Sequence, residues 1–160
     1  MTTHTACAAW IQPVLNWLET LPVSCACAVI FPSYRPDLVQ AMAAALDARF
    51  VDFRKLKMAP LGWQAAQLAS EVLSATAREE MAAGQDVVLH NAEALLSLFQ
   101  REEREAWFAR VHGETWPRRL ILPLTLYSHD LPADMVDRVF ELRAEGLPSE
   151  GIVQRLAGMA

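Results

Sequence analysis

Apolar and polar residues fall along this chain in blocks whose lengths predict strands and helices in turn. Short apolar runs predict four strands, at residues 25–31, 50–53, 87–89 and 120–126. Longer segments with apolar residues at helical spacing predict helices at residues 6–20, 36–48, 61–83, 92–112, 133–145 and 149–158. Strand and helix alternate through the middle of the chain, which is typical of a parallel sheet covered by helices on both faces.

The predicted fold class is therefore α/β, a three-layer sandwich with a four-stranded, mainly parallel sheet and a C-terminal helical pair. At 160 residues the chain is long enough for one domain with its own core. Within that domain we expect an N-terminal helix in residues 1–22, an α/β core in residues 23–130 and the helix pair in residues 131–160.

Composition narrows the class of protein. Hydrophobic residues make up 53% of the chain and charged residues 21%, which indicates a folded domain rather than disorder. The net charge of −5 disfavours a surface that binds nucleic acid broadly, because such surfaces cluster Lys and Arg. No apolar run approaches the length of a membrane span, and the first 30 residues lack a signal-peptide pattern, so a cytoplasmic location is expected.

The cysteines indicate reduced thiols rather than a disulfide framework. There are three, Cys7, Cys25 and Cys27, and an odd number without framework spacing fits a reducing compartment. Cys25 and Cys27 are two residues apart in a predicted strand, so they lie on one face of it and are expected to pack in the core. This pair offers too few ligands for a metal site, and no metal is expected.

Two segments resemble AAA+ and related P-loop NTPases. The segment VVLHNAEAL, residues 87–95, resembles the Walker B segment, in which an apolar strand ends in Asp-Glu. The segment RRLILPLTLYSHDLPADMVDRV, residues 118–139, resembles the sensor strand that follows it. The resemblance covers about residues 23–145 and extends to initiator-related regulators and to the small P-loop component of BREX phage defence. It implies a sheet order of 1-4-3-2, with the strand at 120–126 between those at 25–31 and 86–90.

The turn at the place of the phosphate loop departs from that family. It consists of Phe31, Pro32, Ser33, Tyr34, Arg35, Pro36 and Asp37, with no glycine and no lysine. A phosphate loop needs backbone N–H donors and a Lys, whereas two prolines here remove two donors. Asp37 also places a negative charge at the start of the next helix, where a phosphate would bind.

The Walker B positions are also altered. His90 stands where the resemblance implies a magnesium-binding Asp, and Asn91 where it implies the catalytic Glu. Asn91 is a poor general base, and Glu93, two residues further on, is expected to point elsewhere. His90 is also consistent with a satisfied histidine at a helix entry, and Asn91 with a plain N-cap. We therefore expect no catalytic residue, no bound nucleotide or other cofactor, and no hydrolysis.

The implied function is that of a non-catalytic P-loop NTPase-like adaptor or regulator that binds another protein, such as an active NTPase or a DNA-processing complex. In AAA+ proteins an arginine after the sensor strand often reaches a neighbouring subunit's nucleotide, and Arg138 stands at about that place. An ordinary surface arginine paired with a neighbouring acid is the simpler interpretation of Arg138. Five tryptophans provide anchors for an interface as well as for the core.

Two alternatives remain open at this stage. Residues 138–158 resemble the two-helix part of a helix-turn-helix, with Gln154 and Arg155 on the second helix, so a DNA-binding regulator is one alternative. A small cytoplasmic enzyme of unrecognised class is the other. For it, His129 and Asp130 are a candidate acid-base pair, although a polar turn before Pro132 explains them equally.

Overall fold

One all-parallel sheet forms the centre of the protein, whose structure is a computed structural model that describes residues 9–149. Its strands are β1 (Ala26–Ile30), β2 (Arg49–Asp52), β3 (Val87–His90), β4 (Leu120–Leu124) and β5 (Val139–Glu141). Their order across the sheet is β2-β3-β4-β1-β5. The α/β class and the parallel sheet expected from the alternation of strands and helices are confirmed.

Helices cover both faces of the sheet. They are α1 (Gln12–Glu19), α2 (Pro36–Ala45), α3 (Glu71–Met81), α4 (Ala92–Leu96) and α5 (Arg101–Gly113). The helices α1 and α2 pack against one face, while α3, α4 and α5 pack against the other, so the described residues hold two apolar cores separated by the sheet. Because β1, β3 and β4 are buried on both sides, their sequences are continuously apolar rather than alternating.

The sheet has one strand more than predicted. The strand β4 lies between β1 and β3, as the resemblance implied, but β5 pairs in parallel with the other side of β1. The four-stranded sheet is therefore wrong in its strand number, and β1 is not an edge strand. The edges are formed by β2 and by the three-residue strand β5.

Pro123 is tolerated in the central strand β4 because of where its missing N–H would point. The N–H of Leu120 points toward β1 and donates to the carbonyl of Cys25. Because successive residues of a strand direct their backbone groups to opposite neighbours, Ile121 and Pro123 face β3. Pairing between β3 and β4 ends at Val88 and Ile121. Pro123 therefore lies beyond the last hydrogen-bonded pair of β3 and β4, where its missing N–H breaks no ladder bond.

Two predicted helices are interrupted. Instead of the one helix predicted at residues 61–83, the chain forms a 3₁₀ helix, Ala59–Gln67, and then α3. The break occurs because Gly62 has φ 59° and ψ −133° and because Leu68 is extended. Residues 92–112 form α4 and α5, separated where Gln100 adopts an extended conformation. A π-helical turn, Arg54–Met58, which the sequence pattern did not predict, follows β2.

The predicted helix at residues 133–145 is also wrong. These residues form a 3₁₀ helix, Ala133–Arg138, then β5, then a second 3₁₀ helix, Ala144–Gly146. Phe140 and Leu142 contribute to the core beneath α1 and α2, so this segment buries its apolar residues as a strand. The predicted helix at 149–158 lies outside the described residues apart from its first position, as do the first residues of the predicted helix at 6–20.

Cys25 and Cys27 are buried as expected. Burial raises the pKa of both thiols, and for Cys25 the nearby charge of Arg138 partly opposes this effect. Cys7 lies outside the described residues. Among residues 9–149, no helix combines the length and the apolar character that crossing a bilayer requires.

Candidate functional site

Some of the residues expected from the P-loop resemblance meet at one cleft. It has a volume of about 420 Å³ and lies at the carboxyl ends of β1, β3 and β4, where ligands bind in open parallel sheets. Five of the sequence-predicted site residues line it: Tyr34, Arg35, His90, Asn91 and Glu93. Pairing between β3 and β4 ends at Val88 and Ile121, and Pro123, two residues further along β4, forms part of the apolar wall of the cleft.

The turn between β1 and α2 closes on itself. The guanidinium of Arg35 makes a two-pronged ion pair with Asp37, with Nε–Oδ1 and Nη2–Oδ2 distances of 3.1 and 2.9 Å. Another nitrogen of Arg35 donates to the carbonyl of Pro148 at 3.0 Å. Pro32 and Ser33 are exposed, and Pro36 begins α2. The turn is thus held by its own charges and by the chain after β5.

The first turn of α2 has little capacity to bind an anion. Pro36 has no N–H, and the N–H groups of Leu38 and Val39 both donate to the carbonyl of Arg35. The carboxylate of Asp37 adds a negative charge at the same helix end. A phosphate at this position would meet few donors and a carboxylate.

His90 is buried between two aromatic rings. Its ring stacks on Tyr34 at 5.7 Å between centroids and on Phe50 at 5.4 Å. Its Nε2 is 3.5 Å from the hydroxyl of Tyr34. Burial lowers the pKa of His90 below its ordinary value of 6.5, and the nearby charge of Asp52 opposes that effect. His90 is therefore a packed, mainly neutral ring at pH 7.

Asn91 links three elements instead of capping a helix. It occupies the N-cap position of α4, as one interpretation of the sequence predicted, but its side chain makes no capping hydrogen bond there. Its Oδ1 accepts from the Tyr34 hydroxyl at 2.9 Å, and its Nδ2 donates to Asp52 at 2.8 Å. The backbone of Asn91 is left-handed, with φ 67° and ψ 22°, a conformation that asparagine tolerates better than most residues.

Glu93 holds the backbone that follows β4. Its two carboxylate oxygens accept hydrogen bonds from the N–H groups of Thr125, Leu126 and Tyr127, at 2.7–2.8 Å. The carboxylate is therefore directed into the loop after β4, although Glu93 still lines the cleft. This contact fixes one wall of the cleft.

The segment after β2 is the part of the site that sequence reasoning missed. Arg54 and Met58 line the cleft, and residues 56, 61 and 63 are exposed apolar side chains. The sequence did contain a signal: both lysines of the chain, Lys55 and Lys57, lie here, and no acidic residue occurs between Asp52 and Glu71. The prediction of one helix rich in Ala and Leu over residues 61–83 placed the second half of this stretch in a regular helix.

His129, Asp130 and Arg138 do not belong to the cleft. Asp130 is buried and accepts from Arg104 at 2.7 Å, with Arg101 3.4 Å away, whereas His129 is exposed. This arrangement fits a polar turn rather than an oriented acid-base pair. Arg138 directly precedes β5, at the amino-terminal end of the parallel sheet and thus opposite the cleft.

Neither a metal-binding cluster among the described residues nor a similarity to a known protein identifies what the site does. In the part of the chain that the structure describes, no three His, Cys, Asp or Glu side chains are grouped so as to hold a metal ion. No family model, curated protein or solved structure matches the chain.

Proposed function

We propose that this chain is a non-catalytic P-loop NTPase-like protein that acts by binding another protein, as an adaptor or regulator of an NTPase or of a DNA-associated complex. The position of β4 between β1 and β3 supports the P-loop part of the proposal, because that is the arrangement the resemblance implies. The cleft, at the carboxyl ends of the same strands, is where such a fold places its nucleotide.

The ion pair between Arg35 and Asp37 is the observation that carries the non-catalytic part of the proposal. The pair lies at the first turn of α2, where a P-loop NTPase has its phosphate loop. The N-terminus of α2 is therefore occupied by the Asp37 carboxylate and its partner Arg35, in the place where a phosphate would otherwise bind. Phosphate binding at this helix end would have to displace Asp37 from Arg35, with few backbone donors nearby.

The former Walker B positions support the same conclusion. His90 is packed between two rings, and the Asn91 side chain already bonds to Tyr34 and Asp52. Neither side chain is an anionic magnesium ligand or a strong base. The catalytic and metal-binding roles therefore have no residue to perform them at these positions.

The DNA-binding alternative loses its main support. The first helix of the expected helix-turn-helix is replaced by β5 and two 3₁₀ helices. Recognition of a major groove by a helix pair requires that first helix to position the second. Gln154 and Arg155 lie outside the described residues.

Calorimetry with ATP and GTP tests the non-catalytic part. The full chain is titrated with each nucleotide in the presence and absence of magnesium, beside an active P-loop NTPase as a positive control. We expect no heat of binding and no phosphate release. Magnesium-dependent binding in the micromolar range would show that the proposal is wrong.

Affinity purification from the native host tests the adaptor part. Tagged full chain should retain a defined protein partner that a tag-only control does not. If that partner is an NTPase, Arg138→Ala should leave binding intact and reduce stimulation of hydrolysis by about 10³-fold, the lower end of what a transferred arginine contributes. Arg143→Ala, an exposed arginine nearby, is the matched control. Equal stimulation by both variants would leave Arg138 a structural residue.

A further inference from the structure

Residues 54–67, here called the basic-apolar segment, expose large apolar side chains beside the cleft. Trp63 is 80% exposed, Leu56 47% and Leu61 40%. Folded domains rarely leave a tryptophan this exposed unless it contacts something, because its ring has the largest apolar surface of any side chain. The three side chains lie within eight positions of one another in a single surface segment.

The backbone of this segment presents Trp63 outward. Gly62 adopts φ 59° and ψ −133°, a conformation that residues with a Cβ avoid, and it interrupts the 3₁₀ helix just before Trp63. Nothing lies within 4 Å of where a Cβ on Gly62 would be, so the glycine serves the backbone turn and not a close contact. Trp63 is therefore exposed directly after a defined backbone turn at Gly62.

The same segment concentrates positive charge on an acidic protein. Arg54, Lys55 and Lys57 are consecutive cations on the π-helical turn, while the chain as a whole has a net charge of −5. None of the three forms a salt bridge within residues 9–149. The neighbouring carboxylate of Asp52 accepts hydrogen bonds from Lys55 N and from Asn91 on its Oδ1 and forms no salt bridge with the three cations.

The cleft continues this surface inward. Arg54 and Met58 belong to both, and the exposed side chains of Tyr34 and Leu126 also line the cleft. Its volume of about 420 Å³ is sufficient for one or two bulky side chains. The carboxylate of Glu93, which also lines the cleft, is directed to three backbone N–H groups.

We propose that the basic-apolar segment and the cleft together bind an acidic peptide segment of a protein partner, one that carries a bulky apolar or aromatic anchor. The carboxylates of the peptide would pair with Arg54, Lys55 and Lys57, and its apolar residues would pack on Trp63, with the anchor in the cleft. This inference rests on the proposed adaptor function and specifies the chemistry of its partner.

The geometry favours a peptide over a bilayer or a nucleic acid. A bilayer surface is flat and cannot fill a concave cleft, whereas a protruding side chain can. Three cations on a chain of net charge −5 form a small electrostatic footprint for a nucleic acid. An acidic peptide needs complementary charge only where it binds. The net negative charge of the rest of the protein repels the peptide, so it binds at the basic-apolar segment and not elsewhere.

Selection from a random 12-residue peptide display library, with the immobilised full chain, tests the proposal. We expect enriched peptides to be rich in Asp and Glu and to contain Phe, Trp or Leu. Binding of a synthetic enriched peptide should weaken at least about 10-fold in Lys55→Glu/Lys57→Glu and in Trp63→Ser. Arg143→Glu and Val136→Ser, which alter an exposed cation and an exposed apolar residue elsewhere, should bind it normally.

Amine acylation read by mass spectrometry locates the bound peptide. Lys55 and Lys57 are the only lysines of the chain, so their protection by the peptide reports directly on this surface. Enriched peptides that are neutral or basic, or that bind the Lys55→Glu/Lys57→Glu variant equally well, would overturn the inference. Stronger binding to phosphatidylserine vesicles or to a 20-nucleotide DNA than to any peptide would overturn it too.

The two proposals fail in distinguishable ways. If a host protein co-purifies with the chain and still binds both the Lys55→Glu/Lys57→Glu and Trp63→Ser variants, the adaptor function stands and the docking surface is wrong. If neither a host protein nor any peptide binds the chain, both proposals are wrong. Circular dichroism of each variant, compared with that of the unaltered chain, excludes unfolding as the reason for lost binding.

Discussion

The hydroxyl of Tyr34 donates a hydrogen bond to Oδ1 of Asn91 at 2.9 Å, and these residues are 57 positions apart in the chain. The contact joins the turn after β1 to the end of β3. It therefore connects the two segments in which a P-loop NTPase would hold phosphate and magnesium. In this protein those segments bond to each other.

Tyr34→Phe should remove that hydrogen bond and keep the ring stacked on His90. Because the residue is more than half exposed, we expect a loss of about 0.5–1 kcal/mol in the free energy of unfolding, measured by urea denaturation. Tyr127→Phe is the control: its ring faces Arg104, and its hydroxyl has no hydrogen-bond partner among residues 9–149, so its stability should not change. Equal losses in both variants would contradict this account.

Glu93→Ala should destabilise the protein by about 2–3 kcal/mol, since three backbone N–H groups would lose a charged acceptor. Glu93→Gln should cost roughly half as much, because only one of its terminal atoms accepts a hydrogen bond. Glu79→Gln, on the exposed side of α3, is the matched control and should be neutral. Thermal or urea unfolding of the four proteins distinguishes these outcomes.

His90 should make the protein less stable as the pH falls. Its pKa in the folded state lies below the ordinary value of 6.5, because burial disfavours the charged ring. The unfolded state then binds the proton more readily, so the contribution of His90 is complete above pH 6.5 and is lost as the pH falls from there through the lowered pKa.

Two measurements check this pH dependence. Titration of the His90 ring by NMR should give a midpoint below 6.5. Between pH 7.5 and 5, the free energy of unfolding should fall less in His90→Gln than in the unaltered protein. A midpoint at or above the ordinary value would contradict the buried, neutral ring.

The thiols of Cys25 and Cys27 should be unreactive in the folded protein. Both are buried, and burial raises their pKa, so neither presents an accessible thiolate at pH 8. In a Cys7→Ala variant, Ellman's reagent should detect two thiols in guanidinium chloride and almost none without it. Rapid reaction of either thiol in native buffer would show that this end of β1 opens easily.

The local pattern of apolar residues was sufficient to predict the strands that lie in the middle of the sheet. The runs at β1, β3 and β4 are apolar throughout because helices cover both sides of them, and a doubly buried strand has this pattern wherever its partners lie. Pro36 marked the start of α2 because its fixed φ suits a first helical position. The absence of glycine and lysine from positions 32–37 was likewise visible in the sequence itself.

The order of the sheet, with β4 between β1 and β3, came from resemblance to a family and not from periodicity. Hydrophobic pattern reports how much of a segment is buried and does not report which neighbour buries it. For the same reason the sequence indicated that positions 32–37 and 90–93 belonged at strand ends but did not show that Tyr34 and Asn91 touch.

Tertiary structure decided the elements whose pattern suits more than one conformation. Val139, Phe140 and Leu142 have a spacing that a helix could use, but the open side of β1 offers backbone hydrogen bonds and an apolar surface, so the segment becomes β5. The pattern at 61–83 is helical in period, yet Gly62 reverses the backbone and leaves Trp63 exposed. Sequence alone determined which residues seek burial or special backbone angles, because those preferences are local. Only the fold determined what they meet, because contacts between distant residues depend on where the whole chain places them.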